Sequence, residues 1–222
     1  EENEASQTIE QPSYISDFPN QVGHWQDLVG TAEKKNDSAG LWIANTKQET
    51  NLESVSINLD AREQSSGDLE LTFLYEGQSN FGLVFRGDKQ KTSQWQSFAY
   101  NRDGRWQLGQ PGGKWLTNIP GPTLLSGQQY KLLVRYDGKK IQTFLNDQLF
   151  YENEEVHYPD GTSINDDWTG AVGIRLFGNL SKLNIISMKS GSVGSIPVID
   201  SSAEYRELKE KWRNQLVSKE YD

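Results

Sequence analysis

The sequence contains no cysteine, which excludes disulfide bonds, thiol catalysis and cysteine-ligated metal sites. Histidine is nearly absent too: His24 and His157 are the only two, and neither stands in a catalytic-triad or metal-binding spacing. A catalytic centre is therefore not expected. No run of about 18 apolar residues is present, so no membrane-spanning helix is expected. The opening Glu1-Glu2-Asn3-Glu4 lacks the basic start and apolar core of a signal peptide, which suggests a piece of a longer mature protein.

The formal net charge of −9 argues against general nucleic-acid binding, but the charges are unevenly distributed. Residues 80–145 contain ten Lys/Arg and three Asp, a net charge of +7, which leaves −16 for the rest of the chain. This division indicates a surface that attracts anions on an otherwise acidic body. The alternative is an uneven scatter of charges over solvated strands.

The apolar residues alternate with polar ones in short segments separated by turn signals, as is typical of half-buried strands. One such segment places Leu69, Leu71, Phe73 and Tyr75 on a shared face. Many short antiparallel strands of this kind predict an all-β fold, an antiparallel β-sandwich of the jelly-roll type. Near the C-terminus the pattern changes, and helical spacing follows a capping-box pattern at Ser201–Glu204.

Four segments are predicted along the chain. Residues 1–12 form a disordered leader, 13–190 the sandwich, 191–200 a linker, and 201–222 the start of a truncated α-helical domain. The short C-terminal helix has no helical partner in this sequence. It is therefore interpreted as the beginning of a second domain.

Two Asp-Gly pairs predict hairpins with two-residue turns. About Asp103-Gly104, this turn pairs Arg102 with Arg105, Tyr100 with Gln107, and Asn101 with Trp106. About Asp137-Gly138, it places an apolar set on the core face and a cationic set on a wet face. The core set is Tyr130, Leu132, Val134, Ile141 and Leu145, and the wet set is Lys131, Arg135, Lys140 and Gln142.

The first basic surface also carries aromatic rings, which suit a sugar ligand. An aromatic ring stacks on the apolar face of a pyranose, and an arginine fork matches a carboxylate. The predicted ligand-binding residues are Arg86, Tyr100, Arg102, Arg105, Trp106, Lys114 and Trp115. For each tryptophan the alternative is core packing, and for each arginine it is a solvated edge.

Two further hypotheses remain open from the residues alone. Asp68 and Glu70 share a strand face and would serve a sandwich-fold glycosidase only if a groove brought them beside another acid. No cofactor is predicted. A structural Ca²⁺ held by Asp60, or by Asp166 and Asp167, is the one metal hypothesis, and no loop motif supports it.

The strand series 81–86, 98–108, 130–146 and 171–177 resembles the concanavalin/laminin-G-like sandwich of carbohydrate-binding modules. The segment 203–217, followed by Tyr221-Asp222, resembles the opening of the α/α-toroid domain of hyaluronate and xanthan lyases. Together they resemble the N-terminal family 70 carbohydrate-binding module of a Gram-positive hyaluronate lyase.

The resemblance implies a non-catalytic module that binds hyaluronan and targets an attached polysaccharide lyase to it. It further implies a bacterial protein that is secreted or displayed at the cell surface, with an acidic polysaccharide as partner, no nucleic acid or membrane partner, and a monomeric module. The alternatives are a module for neutral glycans, a sandwich-fold glycosidase, and a structural or adhesion domain.

Overall fold

The fold is an antiparallel β-sandwich with a short C-terminal helix, which confirms the predicted class. A computed structural model describes residues 14–16, 22–37, 40–45 and 53–198, together with 207, 210–212 and 214. One sheet has eight strands in the order β13-β12-β11-β6-β15-β4-β3, with β1 also paired to β15. The other has seven in the order β10-β9-β8-β7-β14-β5-β2.

The strand bounds are as follows. The eight-stranded sheet contains β1 (Tyr14–Ser16), β3 (Glu33–Asp37), β4 (Gly40–Ala44), β6 (Gly67–Tyr75), β11 (Gln128–Asp137), β12 (Lys140–Leu145), β13 (Gln148–Asn153) and β15 (Lys182–Gly191). The seven-stranded sheet contains β2 (Trp25–Val29), β5 (Glu53–Asn58), β7 (Asn80–Gly87), β8 (Gln96–Asn101), β9 (Arg105–Gln110), β10 (Lys114–Ile119) and β14 (Ala171–Phe177). A 3-10 helix, Val22–His24, precedes β2.

The core lies between the sheets and is rich in aromatic rings. Phe73 of β6 meets Phe81 of β7 at 4.8 Å between ring centroids, and Tyr136 of β11 meets Phe85 of β7 at the same distance. These contacts identify the alternate residues of β7 that face inward. The residues between them therefore face outward, because successive side chains of a strand point to opposite faces. The shared face predicted for β6 is confirmed, since its four apolar side chains are all buried.

The hairpin of β8 and β9 has a three-residue turn, so the predicted register is wrong by one residue. Asn101 pairs with Arg105, and Tyr100 pairs with Trp106. Gly104 takes a φ of 88°, the left-handed conformation that closes a three-residue hairpin loop and favours glycine. A shift of one residue exchanges the two faces of a strand. It therefore turns Tyr100 and Trp106 together into the core.

The hairpin of β11 and β12 is also shifted, because Asp137 pairs with Lys140 and the turn is Gly138-Lys139. The predicted core face survives this shift, since it depends on alternation within each strand. The opposite face is not fully wet as predicted. On it, Leu133 and Phe144 are buried.

The chain after β15 remains attached to the sandwich. Ile196 donates its backbone N–H to the Asp68 carboxylate at 3.1 Å, and its carbonyl accepts from Arg135 at 3.1 Å. Arg135 and Asp68 also form a two-pronged ion pair at 2.8 and 2.9 Å. Sandwich contacts thus continue into the segment that the sequence predicts to be a linker. Farther on, Trp212 of the C-terminal helix is buried and packs edge-on against Phe150.

In the part of the chain that the structure describes, no helix has the length and apolar character needed to cross a membrane.

Candidate functional site

Three of the predicted ligand-binding residues are buried in the protein and have no surface to offer a sugar. Tyr100 and Trp106 belong to the core, where the Tyr100 hydroxyl accepts from Leu124 N–H and the Trp106 indole donates to the Pro122 carbonyl. Burial raises the pKa of Tyr100 well above its usual value. Arg86 is fully buried and donates only to oxygens of the protein. We therefore exclude these three from the candidate site.

Lys114 and Trp115 are neighbours in sequence but lie on opposite faces of β10. Lys114 pairs with Gln110, and its ammonium donates to the Thr162 hydroxyl at 3.1 Å. Trp115 pairs with Gly109 on the outer face of the seven-stranded sheet. The structure therefore separates Lys114 from the aromatic surface that the sequence predicts it to share.

Arg102 and Arg105 lie at the β8–β9 turn and reach solvent. Arg102 is exposed, and its backbone N–H donates to the Asn80 side-chain oxygen at 2.8 Å. Arg105 is half-buried, donates to Asn118 at 3.3 Å and approaches Asp103 at 3.4 Å. These interactions are long for charge-assisted bonds. Both guanidinium groups are therefore available to an external anion.

On the outer face of the seven-stranded sheet, three neighbouring residues have little or no side chain and leave the backbone uncovered. Gly82, Ala99 and Gly109 lie on adjacent strands β7, β8 and β9 in two neighbouring rows. At Gly109 a Cβ atom would overlap the indole of Trp115. The Trp115 ring therefore rests directly on the backbone, in a place that only glycine leaves open.

A buried cation lies among aromatic rings on this same face. The guanidinium carbon of Arg175 (β14) lies 4.2 Å from the Trp115 ring centroid, 4.2 Å from Phe177 and 5.5 Å from Trp95. Its Nε donates to the Glu53 carboxylate at 2.5 Å. These five residues are referred to below as the Arg175 cluster. Cation–π contacts of this kind strengthen when the cation is desolvated, so the rings are held in fixed positions.

The guanidinium of Arg175 keeps unused donor capacity. The residue is 7% exposed, and its Nη1 has no hydrogen-bond partner in the described part of the chain. Burial lowers the pKa of Arg175, and Glu53 acts in the opposite sense. A buried donor without an acceptor is costly, and buried polar groups normally find one. The cluster thus combines half-buried rings, Trp115 and Phe177, with the Arg175–Glu53 ion pair beneath them.

A curated protein matches the chain along its whole length. The chain is 99% identical over 222 residues to the hyaluronate lyase HylB of Enterococcus faecalis and spans 22% of that protein's length. The predicted resemblance to a hyaluronate lyase is confirmed. No family model matches the chain.

Solved structures of low sequence identity share the fold. A Bacillus subtilis protein described as galectin-like in fold aligns with a TM-score of 0.62 at 14% identity, covering 82% of this chain and 97% of that one. The Bacillus subtilis carbohydrate-binding module CBM66 aligns with a TM-score of 0.51 at 16% identity, covering 72% and 94% of the two chains. The chain therefore has the fold of a lectin-like carbohydrate-binding module.

Arg175, Trp95 and Phe177 are absent from the residues predicted from sequence. One signal was available: Arg175 stands in the apolar run of β14, at a position where alternation places it opposite Ile174 and Leu176. A lone arginine in such a strand indicates a partner or a function. Phe177 follows two residues later in the same strand, but Trp95 and Trp115 come from distant parts of the chain, so no local pattern indicates the whole set.

The acids proposed for a glycosidase are held in ion pairs. Asp68 is fully buried against Arg135, and Glu70 is buried with Lys189 at 3.2 Å. Neither forms the open pair flanking a groove that glycoside hydrolysis requires. The described residues also contain no group of three or more His, Asp or Glu side chains placed to hold a metal ion. Asp60, named in the calcium hypothesis, pairs with His24 instead.

Proposed function

We propose that the chain is a non-catalytic carbohydrate-binding module that binds hyaluronan and holds an attached polysaccharide lyase on its substrate. The observation that carries this proposal is the Arg175 cluster, an aromatic platform built around the Arg175–Glu53 ion pair on the outer face of the seven-stranded sheet, together with the exposed Arg102 and Arg105 at the β8–β9 turn of that sheet. The fold and the match to a hyaluronate lyase support the carbohydrate class. The choice of hyaluronan rests on the match to a hyaluronate lyase, and the chemistry of the platform is compatible with it.

Hyaluronan alternates N-acetylglucosamine with glucuronate, and each kind of unit has a partner on this face. A pyranose ring stacks its C–H face on Trp115 or Phe177, as sugar rings do on aromatic side chains. A glucuronate carboxylate meets Arg102 or Arg105, whose forked guanidinium groups match its geometry. Arg175 lies beneath these rings as an ion pair with Glu53. Because the guanidinium of this pair is shielded from solvent, salt screens it less than it screens the exposed arginines.

Binding of this kind raises the reaction rate without touching the bond that is cleaved. A lyase tethered to the polymer meets its substrate at an effective concentration set by the linkage. We further propose that the module acts outside the bacterial cell, as a secreted or surface-displayed unit, and that it works as a monomer.

Isothermal titration with hyaluronan oligosaccharides tests this function. We expect heat of binding that decreases as salt is added, because exposed charge pairs are screened. N-acetylglucosamine oligomers serve as the neutral control. Absence of heat with millimolar hyaluronan oligosaccharide, together with binding of the neutral oligomers, would contradict the choice of an acidic ligand. Incubation with polymeric hyaluronan is expected to produce no unsaturated uronate, the product that a lyase releases.

The exposed arginines supply a second measurement. Replacing Arg102→Ala and Arg105→Ala together is expected to weaken hyaluronan binding roughly threefold to tenfold, since each exposed charge contact contributes little by itself. Lys140→Ala is the matched control, because Lys140 lies on the eight-stranded sheet and pairs with Glu154 at 2.7 Å. A larger loss from Lys140→Ala than from the double variant would place the site on the opposite sheet.

A further inference from the structure

A cleft on the other side of the sandwich has the features of a second ligand site. It has a volume of about 490 Å³ and lies where β4, the β6–β7 loop and the β14–β15 turn meet. Trp42 and Lys182 line it from the eight-stranded sheet. Trp42 alternates with the buried Leu41 and Ile43, so it faces away from the core. The Trp42 side of the cleft therefore lies on the outer face of the eight-stranded sheet, whereas the Arg175 cluster lies on the outer face of the seven-stranded sheet.

The apolar part of the cleft is an indole and an exposed leucine. Trp42 is half-buried, and the Lys35 ammonium lies 4.3 Å from its ring centroid. Leu180 is 55% exposed and has a φ of 55°, in the left-handed region that leucine rarely adopts. Backbone strain of this kind tends to occur at ligand-binding sites. A large apolar side chain held in solvent at a strained turn has no role in the core, and here it forms a wall of the cleft.

The polar part of the cleft includes a buried amide with an unused donor. Asn45 is 1% exposed, and its side-chain oxygen accepts from the Ser54 hydroxyl at 2.6 Å. Within the described residues its Nδ2 has no acceptor. A buried amide N–H without a partner carries a penalty of about 1–3 kcal/mol. A hydroxyl or acetamido oxygen of a ligand in the cleft would remove this penalty.

The charges that line the cleft cancel each other. Glu76 and Lys182 form an ion pair, so together they contribute no net charge. Lys35, on the Trp42 ring, is a single further cation close by, so a polyanion is attracted less here than at the other sheet, where both Arg102 and Arg105 reach solvent. The volume falls within the range of about 300–1,000 Å³ found for small-molecule pockets. An indole, an amide and a neutralised ion pair together suit a neutral sugar.

We propose that this cleft is a second carbohydrate site, which takes a neutral mono- or disaccharide and is independent of the hyaluronan-binding face. Trp42 and Leu180 contact the apolar face of the sugar, and Asn45 Nδ2 donates to one of its oxygens. Gln78 lies at the exposed rim, within reach of a second unit. A module with both sites binds an acidic polymer on one face and a neutral glycan on the other.

The test is a titration of the isotope-labelled protein, followed by nuclear magnetic resonance, with millimolar N-acetylglucosamine, galactose, mannose, lactose and cellobiose in turn. At least one sugar is expected to shift the Trp42 indole and Asn45 amide signals and to leave the Trp115 indole signal in place. Hyaluronan oligosaccharide is expected to do the reverse. The two ligands report on different resonances, so failure of the proposed hyaluronan function and failure of this site are distinguishable.

Two variants complete the test. Trp42→Ala and Leu180→Gly are each expected to weaken binding of the neutral sugar by about tenfold or more. Glycine at position 180 also relieves the backbone strain, so the Leu180→Gly variant is expected to fold. Trp115→Ala, the matched variant on the opposite sheet, is expected to leave this affinity unchanged. The proposal is overturned if none of the five sugars shifts the Trp42 and Asn45 signals, or if Leu180→Gly binds as tightly as the unaltered protein.

Discussion

Replacing Arg86 by methionine is expected to lower the free energy of unfolding by about 3 kcal/mol or more. Arg86 is fully buried, and its guanidinium donates four hydrogen bonds, to the carbonyls of Ser65, Gly138 and Asn165 and to the side-chain oxygen of Gln96. Methionine fills similar space but removes the Arg86 donor from the Ser65 and Gly138 carbonyls and from the Gln96 side-chain oxygen, while the Asn165 carbonyl still accepts from Gln96 Nε2 at 2.5 Å. The loss is large because removing one partner exposes the desolvation penalty of the others.

The reason that one residue matters so much is its position between loops. The three backbone carbonyls belong to the β5–β6 connection, the β11–β12 turn and the segment before β14, which are far apart in sequence. Burial lowers the pKa of Arg86, and the charge is retained because polar oxygens and the face of Tyr136, at 5.3 Å, surround it. Arg86 therefore joins three separate connections at one end of the sandwich by hydrogen bonds.

Urea denaturation followed by tryptophan fluorescence measures the change, with the slope checked to be constant between variants. Arg62→Met is the matched control, because Arg62 is exposed near the same end, and a change within about 0.5 kcal/mol is expected for it. Equal midpoints for the two variants would show that the four hydrogen bonds contribute nothing net. That result would remove Arg86 from its structural role.

The fold was predictable because alternation is a local property. The shared face of Leu69, Leu71, Phe73 and Tyr75 follows from a period of two and is confirmed. Turn length was not predictable from Asp103-Gly104. An Asp-Gly pair closes a two-residue turn, yet the same glycine also closes a three-residue loop. The choice depends on how the flanking strands pack, and it decides which side chains enter the core.

The chemical character of the candidate site, cationic and aromatic, was predictable from the sequence, but its location was predictable only in part. The basic middle strands and the exposed Arg102 and Arg105 were recognisable from charge alone. The platform was not, because Arg175 meets Trp115 across strands β14, β7, β8, β9 and β10, an arrangement that only the assembled sheet creates. Gly109 shows the same limit. Its absent side chain makes room for an indole that arrives from the neighbouring strand.

Replacing Arg175 by methionine is expected to weaken hyaluronan binding by about tenfold or more. The substitution keeps much of the side-chain volume between Trp115 and Phe177 but removes the charge and the donors, and hydrogen bonds to charged groups contribute about 1.5–3 kcal/mol. Glu53 then lacks its cation, so the double variant Glu53→Gln with Arg175→Met separates loss of attraction from an unpaired acid. If loss of the Arg175 charge is the cause, both variants bind weakly.

The measurement is titration calorimetry with hyaluronan oligosaccharide at low and high salt, with near-ultraviolet circular dichroism to confirm that the aromatic packing persists. Lys35→Met is the matched control, since Lys35 also places a cation on an indole, that of Trp42, but on the other sheet. It is expected to bind hyaluronan like the unaltered protein. Unchanged affinity in a well-folded Arg175→Met variant would show that this guanidinium only supports the rings. Recognition of the acidic polymer would then depend on the exposed arginines at the β8–β9 turn, whose contribution salt reduces most strongly.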